Sequence, residues 1–215
     1  MAVWGKERVN PGEPYEFIEY PYRGDLILIS TTTGEHTIID TNVTDIITWR
    51  SICDFTVSDV TSLIATMQSE PYSVICLDEG EYTLTASLPN VFGDITLIGN
   101  GASIVMAGAG RAFDVTSTGG LTLKNLSVSG GNAVQGGAIY NAGTLSLDDV
   151  VLEGNIADEG GAIYNIGTLT MRGGALQNNV GRVRGGGIYN AGDMDLDGVN
   201  IRDNDAPEGS GVYQE

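Results

Sequence analysis

Residues 136–190 read GGAIYNAGTLSLDDVVLEGNIADEGGAIYNIGTLTMRGGALQNNVGRVRGGGIYN, and the period of this stretch decides the fold. GGAIYN starts at Gly136 and again at Gly160, returns as GGGIYN from Gly185, and ends as GSGVYQ from Gly209, in steps of 24, 25 and 24 residues. GRAFDV from Gly110 is a degenerate forerunner. Between these blocks recur Ile95-Thr96-Leu97, Leu121-Thr122-Leu123, Leu145-Ser146-Leu147, Leu169-Thr170-Met171 and Met194-Asp195-Leu196. A third run ends in asparagine, at Asn155, Asn179 and Asn204. Each run is too short for a helix, alternates apolar with polar, and closes on Gly or Asn, as a strand does. No single run can bury its apolar side, whereas stacked copies form one continuous core.

The expected architecture is all-β, a right-handed parallel β-helix with three strands in each coil of about 24 residues. At about 4.8 Å between paired strands, the roughly six coils from Val74 to Gln214 make a rod about 28 Å long. Alternation points Leu145, Leu147, Leu169, Met171, Met194 and Leu196 inward, with Ile139, Ile163, Ile188 and Val212, and Thr144, Ser146, Thr168, Thr170, Asp193 and Asp195 outward. Register then makes columns. Asn141, Asn165 and Asn190 stack at one corner, and Asn155, Asn179 and Asn204 at another, where a side-chain amide can bond its counterpart in the next coil. Tyr140, Tyr164, Tyr189 and Tyr213 form an outward aromatic stack, first of all structural and also a candidate platform for sugar rings or a partner.

Outward from the repeat, residues 57–68 predict a capping helix. Ser58 is its expected N-cap, and Val60, Leu63, Ile64 and Met67 make one apolar stripe. Its expected place is over the first coil, where bare strand edges otherwise invite pairing. The chain thus divides into a β-rich segment 1–56 and a β-helix 57–215. The first segment has strand-like runs (Leu26 to Ser30, Thr37 to Asp40, Ile46 to Trp49) after an arm bearing Trp4, Tyr15, Phe17, Tyr20 and Tyr22, a candidate for docking on a neighbouring subunit. The C-terminal coil has no capping helix, so stacking into a homo-oligomer or filament is a further expectation.

Glycine accounts for 31 of 215 residues and serves turns, since no collagen-like period exists. The net charge of −18 repels phosphate backbones and anionic lipid, arguing against nucleic-acid binding. No apolar run is long enough for membrane insertion, and no signal peptide is visible at the start. Cys53 and Cys76 do not make a disulfide framework; Cys76 reads as a small buried side chain, with a Cys53–Cys76 bridge as the alternative.

Chemistry has few candidates. Glycoside hydrolysis needs two carboxylates in a groove. Asp193, Asp195, Asp197, Asp203 and Asp205 cluster in the last full coil, but with only Arg202 for company. The single histidine, His36, lies outside the repeat, which disfavours histidine catalysis or a histidine-ligated metal. No catalytic residue and no cofactor are assigned. Calcium is weighed only at Asp193, Asp195 and Asp197, which alternate to one side and repel one another.

GGAIYNAGTLSL, GGAIYNIGTLTM and GGGIYNAGDMDL resemble the repeats of bacterial secreted right-handed β-helix proteins, often large surface proteins with a CSLREA-type start. Residues 62–132 are similar to the same group, and the Gly-Gly-Ala-Ile blocks with a trailing Asn resemble repeats of chlamydial polymorphic outer-membrane proteins. The resemblance covers about residues 60–215 and implies a parallel β-helix in a surface protein presumed adhesive. The expected role is therefore a non-catalytic structural or adhesive protein of an extracellular surface, filament or virion, with a surface glycan as candidate partner. The alternative is a carbohydrate-active β-helix, either a lyase or hydrolase or a glycan-binding module.

Overall fold

The computed structural model describes residues 53–108 and 110–215, together with four earlier strands as backbone. Two compact units result, Met1–Asp54 and Phe55–Glu215. In the first, Glu16–Tyr20 pairs antiparallel with Ile46–Arg50, and Leu26–Ile29 with His36–Asp40. The β-rich character expected here is present. Of the aromatic arm, Trp4, Tyr15 and Tyr22 lie outside the described residues. Phe17 and Tyr20 fall in the strand Glu16–Tyr20, whose side chains are likewise outside them.

The second unit is a parallel β-solenoid. One sheet stacks seven strands: Phe55–Val57, Val74–Leu77, Asp94–Ile98, Gly120–Lys124, Thr144–Asp148, Thr168–Arg172 and Asp193–Asp197. A second stacks six, from Glu81–Leu84 to Asn200–Arg202, and a third stacks five, from Phe113–Val115 to Val212–Gln214. Every neighbouring pair within them is parallel and equivalent residues meet, so Leu121, Leu145, Leu169 and Met194 form one column. The expected faces hold. Leu145, Leu147, Leu169, Met171, Ile139, Ile163 and Ile188 are fully buried, while Thr144, Thr168, Asp193 and Asp195 are exposed. Gly160 shows why glycine starts each block. Its φ is +65°, and a Cβ there would run into the carbonyl of Ile163.

Two expectations at the start of the rod need correction. Val57 belongs to a strand, not to the helix, because Phe55–Val57 pairs with Ile75–Leu77 and opens the first sheet. The unit boundary accordingly falls after Asp54. The helix runs Val60–Ser69 within the first coil, and its N-cap is Asp59 rather than Ser58, since the Asp59 carboxylate accepts from the Ser62 amide at 2.8 Å. The predicted stripe is otherwise right: Leu63 and Met67 are buried in the solenoid core and Val60 and Ile64 pack against it. The helix contacts Phe55–Val57 and Glu81–Leu84, which begin the first two sheets, so it covers the N-terminal end of the core.

The coil also has a short fourth side. Ile156–Glu159 pairs in parallel with Val180–Arg184, with a register shift between Ala157 and Glu159. That extra residue accounts for the 25-residue step. Three sides were expected because IADE and VGRVR do not alternate as the other runs do.

Candidate functional site

Ladder residues occupy three solvent-side or corner columns of the last four coils. The strand Ile163–Asn165 shows how one tripeptide serves two of them. Ile163 enters the core, Tyr164 faces out, and Asn165 turns in at the corner, fully buried. Three residues are short enough that the next coil, 24 or 25 residues on, repeats the same assignment.

The asparagine columns are continuous hydrogen-bond chains. Asn141 donates to Asn165 Oδ1 at 2.6 Å, Asn165 to Asn190 Oδ1 at 2.6 Å, and Asn190 to Gln214 Oε1 at 2.8 Å. Asn141 and Asn165 also reach the carbonyls of Thr168 and Asp193 at 3.0 Å. In the second column Asn155 donates to Asn179 at 3.1 Å and Asn179 to Asn204 at 2.9 Å, while the carbonyl oxygens of their side chains accept backbone amides from the preceding coil. Asn141, Asn155, Asn165, Asn179 and Asn190 are buried, and each is bonded along the stack, as buried amides require.

The tyrosines stack face to face. Ring centroids are 5.4 Å apart for Tyr140–Tyr164, 4.7 Å for Tyr164–Tyr189 and 5.3 Å for Tyr189–Tyr213, with interplanar angles of 7°, 5° and 17°. The inner ring faces of the stack therefore each meet another ring. Arg111 lies over Tyr140 at 5.1 Å and Arg184 over Tyr213 at 5.2 Å, a cation–π contact at each end of the column. The geometry is poor for the sugar platform considered above, because a sugar packs on a ring face and the inner faces are covered. Tyr189 points outward by alternation and is still only 3% exposed.

A column of charge flanks the rings. Gln135, Glu159, Arg184 and Glu208 stand opposite one another in successive coils, five residues before each tyrosine. Arg184 Nε lies 3.2 Å from Glu208 and its Nη1 3.9 Å from Glu159. Gln135 donates to Glu159 at 3.2 Å. At the head of the column Asp114 replaces tyrosine and lies 3.2 Å from Arg111. Burial raises the Asp114 carboxyl above its ordinary value, with Arg111 opposing. Tyr189 donates to Glu215 Oε2 at 2.6 Å, and that bond first, then burial, pushes its phenol up to about 12. Burial raises Tyr164 as well, with Glu159 adding to it.

The structure thus brings the four tyrosines together with Arg111, Asp114, Glu159, Arg184 and Glu208, none of which the repeat pattern singled out. A signal existed in the fixed five-residue offset from each tyrosine, but the residue type changes from coil to coil. Asp193, Asp195 and Asp197 remain exposed on one strand, and among the described residues no group of three or more His, Cys, Asp or Glu is placed to hold a metal ion. Cys53 and Cys76 are both disulfide-bonded, which settles the alternative left open above.

These features define a parallel β-solenoid with internally bonded polar and aromatic ladders. The chain matches no known family model, no curated protein and no solved structure.

Proposed function

We propose that this chain is a non-catalytic structural module, a rigid acidic rod that spaces or presents other parts of an extracellular surface or particle. One observation carries the reading: the side chains that would supply a groove's chemistry are bonded to one another instead. Tyrosine faces are stacked, the seam's arginines are ion-paired, and the asparagine amides run in chains. A catalytic groove needs such groups free to meet substrate.

Other features agree. Oxidised Cys53 and Cys76 suit an oxidising compartment. The resemblance of the repeat to secreted surface proteins points the same way. Because the helix Val60–Ser69 covers the N-terminal end, head-to-tail stacking of bare solenoid ends is disfavoured, and a spacer or adhesive module is preferred to a filament grown that way.

The test is incubation with pectin, alginate and related polyanions, with and without calcium, while following the absorbance of unsaturated products. Alongside it, neutral oligosaccharides are titrated against the chain and against Tyr164→Ala. No product and no tyrosine-dependent binding is the expected result. Release of product, or binding lost in the variant, would replace this reading with the carbohydrate-active one.

A further inference from the structure

The first and last rings of the tyrosine column each carry a guanidinium from the preceding coil, held by a carboxylate. Arg111 is 5.1 Å from the Tyr140 ring and 3.2 Å from Asp114, and Arg184 is 5.2 Å from the Tyr213 ring and 3.2 Å from Glu208. The same components recur elsewhere without the cation. Tyr72 is 72% exposed and Phe92 51% exposed, in the turns that lead into Val74–Leu77 and Asp94–Ile98 of the seven-stranded sheet. Ser73 O accepts from Thr96 N, and a Cβ on Gly93 would meet Pro71, so the register runs on through this corner. It sets Tyr72 beside Asp94 and Phe92 beside Glu70, in coils about 4.8 Å apart. Glu70 and Asp94 are exposed, and among the described residues neither forms an ion pair.

We infer that Tyr72, Phe92, Glu70 and Asp94 form a docking patch for an arginine- or lysine-bearing segment of a partner protein. Ring faces attract a cation through their quadrupole, and a carboxylate beside the ring fixes the donor's direction. Among the described residues no cation lies over these two exposed rings, whereas Tyr140 and Tyr213 each receive an arginine. The net charge of −18 steers a basic segment toward the rod, and the rings select where it rests. This inference concerns a different face from the tyrosine seam and does not depend on the rod being non-catalytic.

The experiment titrates the full chain with a short fluorescent Gly-Arg repeat peptide at moderate salt, following anisotropy. The Tyr72→Ala/Phe92→Ala double variant keeps the net charge and alters only exposed side chains, with circular dichroism confirming the fold. It is expected to weaken binding about fivefold to thirtyfold. Asp193→Asn/Asp195→Asn, which removes two exposed charges from another coil, is expected to change it less than about twofold. The proposal is overturned if the ring variant binds as tightly as the parent chain, if the remote charge variant loses as much, or if the peptide does not bind. It also fails if a neutral oligosaccharide, rather than the peptide, shows the ring-dependent binding.

Discussion

The coils from Val74 to Val115 and those from Gly136 to Gln214 share one fold and are held by different chemistry. In the earlier coils the repeating corner position is apolar, Val115, directly below Asn141, and the outward column holds Asp114 where tyrosines follow. Their cohesion rests on aliphatic and aromatic burial, with Leu97, Ile104, Tyr82 and Phe113 nearly or wholly inaccessible. In the later coils the asparagine chains and the ring stack are added to that core. The difference shows that a solenoid needs only in-register apolar columns to form, while polar ladders tie one coil to the next where they occur.

The largest effect belongs to the ladder. Asn165→Ala strips partners from Asn141, Asn190 and the Asp193 carbonyl. Asn141 keeps its bond to the Thr168 carbonyl, so two groups are left wholly unmade, and at roughly 1–3 kcal/mol for each the expected loss is about 2–6 kcal/mol in denaturant unfolding. A loss below about 1 kcal/mol would make the columns ornamental. Leu97→Ala tests the other region and should cost about 2–5 kcal/mol through the cavity it leaves. If it proves harmless, the earlier coils are not held by burial.

Ionisation sharpens the contrast at the junction. Asp114 has a folded pKa above its ordinary 3.8. Its contribution is therefore fully present below 3.8 and is lost as pH rises through the raised value. Unfolding midpoints across this range should fall with rising pH more steeply for the parent chain than for Asp114→Asn; equal slopes would show that burial does not govern this carboxylate. Tyr189, with an ordinary value of 10.0 raised to about 12, contributes stability that is complete below 10 and lost toward 12. Tyrosinate absorbance should show a late-titrating phenol that is missing in Tyr189→Phe. Smallest of all, the pair Lys124–Asp148 spans 3.9 Å between exposed side chains, so Lys124→Ala should change stability by less than about 0.5 kcal/mol.

How much could be read in advance follows the same division. Inward columns such as Leu121, Leu145 and Leu169 and the asparagine corners were legible because identical residues return at a fixed step, and register turns recurrence into contact. The strand Phe55–Val57 was not, since its register is made by pairing with Val74–Leu77 and its sequence matches no later block. The cap at Asp59 rather than Ser58 depends on which oxygen meets the Ser62 amide, a matter of backbone direction. Alternation gave the outward sense of Tyr189 correctly. Its burial arises from rings above and below and from Glu215, which only the closed coils bring together. Arg111 and Arg184 were hidden because a cation–π contact needs no repeated residue type.

Native-state hydrogen exchange resolved by coil, comparing the parent chain with Asn165→Ala, tests the central claim most directly. If amide ladders bind the later coils together, protection should fall sharply across residues 136–215 and remain near the parent level across 74–115. Unchanged protection in 136–215, or an equal loss in both regions, would contradict it.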